Sequence, residues 1–460
     1  MKNRVVAKEH VLSFILVTSL FALWGFANDI TNPLVRAFKD VFQNLTNTQS
    51  SLIQFAFYGG YATMAIPAAL FIRKFSYKAG ILLGLALYAA GALLFIPAAV
   101  TMEFIWFPVS LYVLTFGLAF LETTANPYIL SMGDEKTATQ RLNLAQSFNP
   151  IGSLLGMFVA SQLILAKLWP AKVRAAELAA HPEYQTTHPD IVNGKIAAAM
   201  DAFKEANPHE YLAQQMADVN IIRNPYAILG VVVLIVFFVF LFKKMPDTSN
   251  REEHIHPLET VKRLFRTNRW WEGVIAQTFY VAAQITCWTF VIHYAMENVP
   301  GMTLKKAQFY NIGAMGLFLI GRFVCTALLK YVSTGKLLMN LAISGGLLIL
   351  GSIFLQNYIG LLCLVGTSAC MALMFPTIYG IALDGLGEDA KLGSAGLVVA
   401  IVGGALMPLG MGKIMDMEGV NLGVITLNSV SASFVLPLIS FVVVAVFGYR
   451  TFKIHHVGDK

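Results

Sequence analysis

The sequence predicts an all-α membrane protein: twelve transmembrane helices in two six-helix bundles, with both termini cytoplasmic. Two observations predict it. Hydrophobic residues fill 57% of the 460 positions and charged residues only 13%, about half the charged share of soluble domains. A chain this apolar cannot cover a water-facing surface with polar groups, which excludes soluble enzymes, disordered scaffolds and disulfide-rich secreted domains. Second, the apolar residues fall in about twelve runs, each near the 20 residues a helix needs to cross a bilayer.

In order, the runs are 11–37, 50–72, 79–100, 104–132, 142–167, 225–243, 272–294, 308–330, 336–355, 359–383, 393–415 and 429–449. The first follows Lys2, Arg4 and Lys8 and is too long for a secretory signal, so it reads as an uncleaved helix. None alternates as a β-barrel strand would. Many carry internal small residues, such as Gly59-Gly60, Gly345-Gly346 and Gly403-Gly404, which let membrane helices approach closely. The four cysteines, Cys287, Cys325, Cys363 and Cys370, all lie in these runs and form no metal-binding or disulfide pattern.

Lys and Arg set the orientation. With the N-terminus inside, the inner segments hold 21 of them and the outer segments 11, while Arg322 lies within a run. Both termini are therefore expected inside, and the net charge of +7 reads as topology; no nucleic-acid partner is expected. The largest inner connection separates six runs from six. The expected units are residues 1–245, a linker 246–271 and residues 272–460. In the linker Leu258, Val261, Leu264 and Phe265 share a helical face, with Lys262, Arg263, Arg266 and Arg269 elsewhere, the pattern of a helix lying on an anionic bilayer surface. The outer loop 168–224 is Ala-rich and is expected to hold short surface helices.

A weak internal repeat supports the division. Asp29-Ile30-Thr31 matches Gln284-Ile285-Thr286, Ala69-Leu70 with Lys78 matches Ala327-Leu328 with Lys336, and Asn126-Pro127 matches Phe375-Pro376, at offsets of 255, 258 and 249. Transporters built this way hold their substrate near the midplane between the repeats.

Polar groups inside hydrocarbon are costly and concentrate where function needs them. The first run carries Asn28, Asp29, Asn32 and Arg36 on one helical face. The fourth carries Glu122, the fifth Asn143, Gln146 and Asn149, the seventh Gln277, Gln284 and His293, and the eighth Asn311 and Arg322. His293 lies near the outer boundary and is expected at the surface, with Glu272, Asp384 and Lys413 interfacial. Amides and carboxylates suit the hydroxyls of a monosaccharide, and Trp24, Tyr58, Tyr61, Tyr280 and Trp288 could cover its apolar ring face. A low-dielectric site penalises an uncompensated charge, so Glu122 and Asp29 are candidate proton carriers; sodium coordination is a rival use of the same oxygens. Simpler readings compete: Asp29 paired with Arg36, Arg322 reaching to the inner surface, and single amides joining helices. No nucleophile or metal set appears, so no enzyme, metal centre or resident cofactor is expected.

The stretches Phe21–Asn28, Leu121–Pro127, Arg141–Asn149, Ala276–Gln284 with Cys287-Trp288, Ile320–Phe323 and Phe375–Ile378 resemble the fucose–galactose–glucose proton symporter branch of the major facilitator superfamily. The resemblance covers nearly the whole chain outside 168–224. It implies two six-helix bundles, a central cavity, alternating access and proton-coupled sugar uptake across a bacterial inner membrane. L-Fucose with protons is the first pairing implied, and glucose or galactose with protons or sodium the alternative. The family's fourth-helix acid falls on Glu122. Its first-helix acid falls on Asn32, and Asp29 is expected to supply the displaced carboxylate. The expected sugar-binding set is Asn28, Asn32, Gln146, Asn149, Tyr280, Gln277, Gln284, Trp288, Asn311 and Arg322, with Glu122 and Asp29 coupling the proton, in a monomer surrounded by lipid bilayer. A drug exporter and a non-transporting sugar receptor are the rivals; amides spread over three helices argue against the first.

Overall fold

The computed structural model describes residues 6, 10–133, 144–146, 148–185, 187, 189–245, 257–328, 331–386, 389–417, 419–421 and 426–455. Eleven helices among them are long and apolar enough to cross a membrane: Val11–Val41, Asn47–Ile72, Tyr77–Thr101, Trp106–Asn126, Leu144–Leu165, Pro208–Phe242, Asn268–Asn298, Thr334–Leu355, Tyr358–Leu383, Ala395–Met415 and Ser429–Lys453. A twelfth helix, Leu304–Leu328, takes the place of the expected eighth run. Lys305, Lys306, Gln308, Asn311 and Arg322 make it more polar than its neighbours. The twelve are spans 1 to 12 below. Asn143, Lys136, Arg141, Lys330 and residues 246–256 lie outside the described residues.

Burial follows the solvent. Span 6 exposes Ile228, Val231, Ile235 and Phe242, since lipid accepts apolar side chains as readily as a protein core does. Span 7 runs through the middle and is buried over nearly all its length. Within each half the helices meet at glycines. A Cβ on Gly152 of span 5 would collide with the carbonyl of Ala22 on span 1, and one on Gly403 of span 11 with the carbonyl of Thr278 on span 7. The same close packing in corresponding places fits the repeat.

Two spans break at prolines. Span 1 is helical over Val11–Thr31 and Leu34–Val41, on either side of Asn32-Pro33. Proline has no N–H for the carbonyl four residues earlier, here that of Asp29. Span 10 is helical over Tyr358–Met371 and Met374–Leu383, with Pro376 just beyond the break.

The linker forms a helix over Pro257–Arg266. Thr260 and Leu264 are buried while Val261 and Phe265 are exposed, leaving an apolar strip for the membrane surface. Arg263 holds Asp389 with a pair of hydrogen bonds at 2.8 and 2.7 Å, and Arg450 holds Glu272 at 3.0 and 2.7 Å. Glu272 is therefore a buried ion-pair member rather than a free interfacial charge.

The expected loop 168–224 is largely helix. Trp169–Ala180 and Pro189–Ala206 pack on each other through Leu178, Val192, Ile196 and Met200. From Pro208 the chain already belongs to span 6, a 35-residue helix, so the sequence reading began that span 17 residues too late. Polar residues such as Asp218 and Arg223 interrupt the hydropathy there without interrupting the helix. The segment reaches the second half. Arg174 donates to the carbonyl of Met302 at 2.9 Å and to Asn193 at 2.7 Å, and Asn193 donates to Glu297 at 3.0 Å.

The two halves close on each other at the end opposite the termini. There Asp416, just past span 11, accepts from the backbone N–H groups of Asn47 (2.7 Å) and Thr48 (2.9 Å) and from the Thr48 hydroxyl (2.6 Å). Arg36 pairs with Asp40 at 3.0 Å and lies 3.9 Å from Glu297 on span 7. Burial alone would raise the pKa of Asp416, but the hydrogen bonds from Thr48 and Asn47 outweigh it and hold the carboxyl below the ordinary range. A depressed pKa gives stability that is present above the unperturbed value, near pH 4, and is lost as pH falls through the depressed one. Asp416→Ala is expected to weaken this closure by about 1 kcal/mol, the scale of an exposed cap. Spin labels on Asn44→Cys and Met417→Cys would register it as a broader and longer distance distribution.

Candidate functional site

Between the halves lies a cavity of about 200 Å³. Asn28 and Asp29 reach it from span 1, Tyr58 and Tyr61 from span 2, Glu122 from span 4, and Gln146, Asn149 and Ser153 from span 5. Gln284 and Trp288 come from span 7, Phe318 and Arg322 from span 8, and Phe375 from span 10. Eight of the twelve residues expected from the sequence line it: Asn28, Asp29, Glu122, Gln146, Asn149, Gln284, Trp288 and Arg322.

Four do not. Asn32 is fully buried behind the wall, donating to Asp29 Oδ1 at 2.8 Å. Tyr280 is buried, with its hydroxyl donating to the Met371 carbonyl at 3.1 Å. Gln277 is fully buried with neither side-chain polar atom hydrogen-bonded, and Asn311 is fully buried beside Gln308 at 3.5 Å. Each sits on a helix that does reach the cavity, but on another part of its surface.

The wall is held from behind. The Tyr58 hydroxyl donates to Asn28 Oδ1 at 2.7 Å, and the Asn28 amide lies 3.5 Å from Asp29 Oδ2. Gln146 donates to Asn126 at 3.2 Å, and the Trp288 indole N–H donates to Ser368 at 3.1 Å. Trp24 and Tyr61 have ring centroids 6.4 Å apart. The two deep acids differ. Asp29 is satisfied by the Ser153 hydroxyl and the amides of Asn28 and Asn32, and does not pair with Arg36, whose partner is Asp40. Glu122 Oε2 is buried with no hydrogen-bond partner. An unpaired carboxylate in such a place is costly, whereas a protonated carboxyl is tolerated.

Arg322 is held in the cavity rather than extended to the membrane surface. Its guanidinium lies 5.0 Å from the centre of the Phe318 ring, and Nε is 3.4 Å from the carbonyl of Ala372. That carbonyl is four residues before Pro376, which has no N–H to offer it. The break in span 10 thus frees an acceptor for the cation. His293 departs from expectation: it is 1% exposed, with neither ring nitrogen hydrogen-bonded. Closure of the halves covers a position that the end of an isolated helix would leave exposed.

Ser153, Phe318 and Phe375 were not foreseen. Ser153 lies four residues beyond Asn149, on the same face of span 5, so helical spacing was a usable signal. Phe318 and Phe375 look like ordinary lipid-facing residues in the sequence.

No family model matches the chain. Curated relatives do. The L-fucose-proton symporter of Haemophilus influenzae is 52% identical over 455 residues, covering 99% of this chain and all of that one. The chain belongs to the L-fucose–proton symporter family of the major facilitator superfamily. The glucose/galactose transporter of Brucella abortus is 29% identical over 96% of this chain and 94% of its own. Among solved structures, the major facilitator superfamily transporter FucP in the outward conformation matches with a TM-score of 0.69 at 34% identity, covering 96% of this chain and 99% of that chain. The family's fold is the twelve-helix, two-bundle architecture described above, and its members are transporters rather than enzymes. The cavity occupies the place expected of a transport site, between the repeats.

Proposed function

We propose that the chain imports L-fucose together with a proton across a bacterial inner membrane, as a monomer working by alternating access. The observation that carries this reading is the meeting of two deep carboxyls, several amides and several aromatic rings in one cavity between the halves. The 52% identity to an L-fucose-proton symporter supports the sugar and the ion.

The chemistry comes from the lining. Gln146, Asn149, Asn28 and Gln284 offer both donors and acceptors, as sugar hydroxyls require, and Trp24, Tyr61, Phe318 and Trp288 can flank the apolar faces of a ring. Arg322 offers fixed donors that cannot be titrated away. Glu122, whose acid oxygen lacks a protein partner, is the carrier we assign to the proton, with Asp29 the second acid. On the Lys/Arg orientation the closed end faces outward, the end that must open to admit sugar and proton and close before they are released inside. One charge driven by 100 mV supplies about 2.3 kcal/mol, enough for a concentration ratio of roughly 50.

Uptake into vesicles should separate the readings. L-Fucose, D-galactose, D-glucose and D-arabinose are compared with and without sodium. L-Fucose is expected to accumulate without sodium and to make the medium of de-energised cells alkaline. Accumulation of glucose or galactose instead, or a strict sodium requirement, would replace the proposal with the reading suggested by the Brucella relative. Binding without accumulation would indicate a receptor. Asp29→Asn is expected to lower proton-driven accumulation by about 10-fold or more; unchanged accumulation would leave Glu122 as sole carrier.

A further inference from the structure

An unbroken chain of buried hydrogen bonds leads from Asp29 across the interface to the second half. Asn32 Nδ2 donates to Asp29 Oδ1 at 2.8 Å. Gln54 Nε2, on span 2, donates to Asn32 Oδ1 at 3.1 Å and, with its second hydrogen, to Thr289 Oγ1 on span 7 at 3.0 Å. Asn32 and Gln54 are fully buried, and Thr289 is 1% exposed. None of Asn32, Gln54 and Thr289 lines the cavity, so the chain is not sugar-binding apparatus.

Its polarity is set at one end. An ionised carboxylate only accepts. It fixes the Asn32 amide with nitrogen toward Asp29 and oxygen toward Gln54. That in turn fixes the Gln54 amide with its nitrogen toward both Asn32 and Thr289. The Gln54 oxygen is left buried and unpartnered, so local satisfaction of Gln54 does not choose the orientation. A proton on Asp29 removes the constraint, because a carboxylic acid can donate. Opening the halves at this end must separate Gln54 from Thr289, since one lies on span 2 and the other on span 7. Asn32, the relay's middle member, stands at the break in span 1.

We infer that Gln54, through Asn32 and Thr289, makes closure of the outer end depend on the charge of Asp29: a positioning residue for the coupling step, not a sugar ligand. This rests on the reading of Asp29 as a coupling acid. The charged and titratable groups around the relay are Tyr58 and Glu122 with Arg322 on the cavity side. On the outer side Thr289 is followed one turn on by His293, facing Arg36 and Lys39, and then by Glu297 beside Arg36.

The test uses Thr289→Val, which keeps the shape and removes the acceptor, with Thr289→Ser as the conservative variant and Gln54→Leu as a second probe. Thr289→Val and Gln54→Leu are expected to bind L-fucose within two-fold of the parent in detergent and to sustain sugar exchange. Proton-driven accumulation should fall at least ten-fold, and its dependence on external pH should flatten. Thr289→Ser should restore both. A parental pH profile and accumulation in Thr289→Val would overturn the relay, as would parallel loss of binding and transport in both variants. Asp29→Asn, measured alongside, separates the two levels. If it stays fully coupled, the assignment of Asp29 fails, and the relay with it. If it uncouples while Thr289→Val does not, the relay alone fails.

Discussion

Glu122→Gln is expected to abolish proton-driven accumulation and bring the internal sugar concentration down to the external one, while exchange of internal for external sugar continues. The substitution is nearly isosteric and leaves a neutral, hydrogen-bonding side chain against the cavity. Glu122 Oε2 has no protein partner, so the amide breaks no ion pair and no hydrogen bond to that oxygen. The loss should therefore be one of chemistry, since an amide cannot take up or release a proton in this range. Thermal stability should be equal or higher, because an unpaired buried carboxyl costs about 1–3 kcal/mol and more when charged. Uptake down a gradient and counterflow, measured with the melting temperature of the purified protein, check all three parts. Accumulation at the parental level would remove Glu122 from the coupling step.

Gly152→Leu is expected to leave almost no folded protein. A Cβ on Gly152 would overlap the backbone carbonyl of Ala22, with the rest of that residue's backbone behind it. Overpacking against side chains typically costs about 1–3 kcal/mol because they can turn away; a backbone carbonyl cannot, so the cost here exceeds about 3 kcal/mol. Span 1 would be pushed from span 5, and Asn28 and Asp29 from Asn149 and Ser153. Gly316→Ala is the control. Nothing lies within 4 Å of a Cβ there, and alanine gains about 0.5–1 kcal/mol in a helix interior. Yield of monodisperse protein and melting temperature should move in opposite directions for the two variants.

The contrast between those glycines marks the limit of sequence reading. Both lie in apolar helices, and only the neighbour separates a collision from open space. The same holds for the polar residues. Asn28 and Asn32 share a face of span 1 by spacing, yet one lines the cavity and the other stands behind Asp29, held there by Asp29 and by Gln54 of span 2. Gln277 and Gln284 share span 7, but only Gln284 reaches the cavity. Span 7 is buried nearly all round, so its own pattern carries no direction. Gln54 drew no notice as a single amide near a helix end, and its role comes from Thr289, 235 positions away.

By itself the sequence determined the properties that composition, run length and charge counting can set: a helical membrane protein, near-correct positions for twelve spans, the six-and-six division and the identity of the deep acids. These depend on each segment's exchange between water and lipid, which is local. Among the described residues, hydropathy misplaced the start of span 6, whose helix runs from Pro208 through polar residues before its apolar run. The tertiary structure decided which faces of the central helices meet, that His293 is covered, that Arg322 takes the carbonyl freed by Pro376, and that one end of the molecule is closed. Those depend on packing between distant helices of equal hydrophobicity, and a bilayer, being as apolar as either helix, cannot tell them which side to turn.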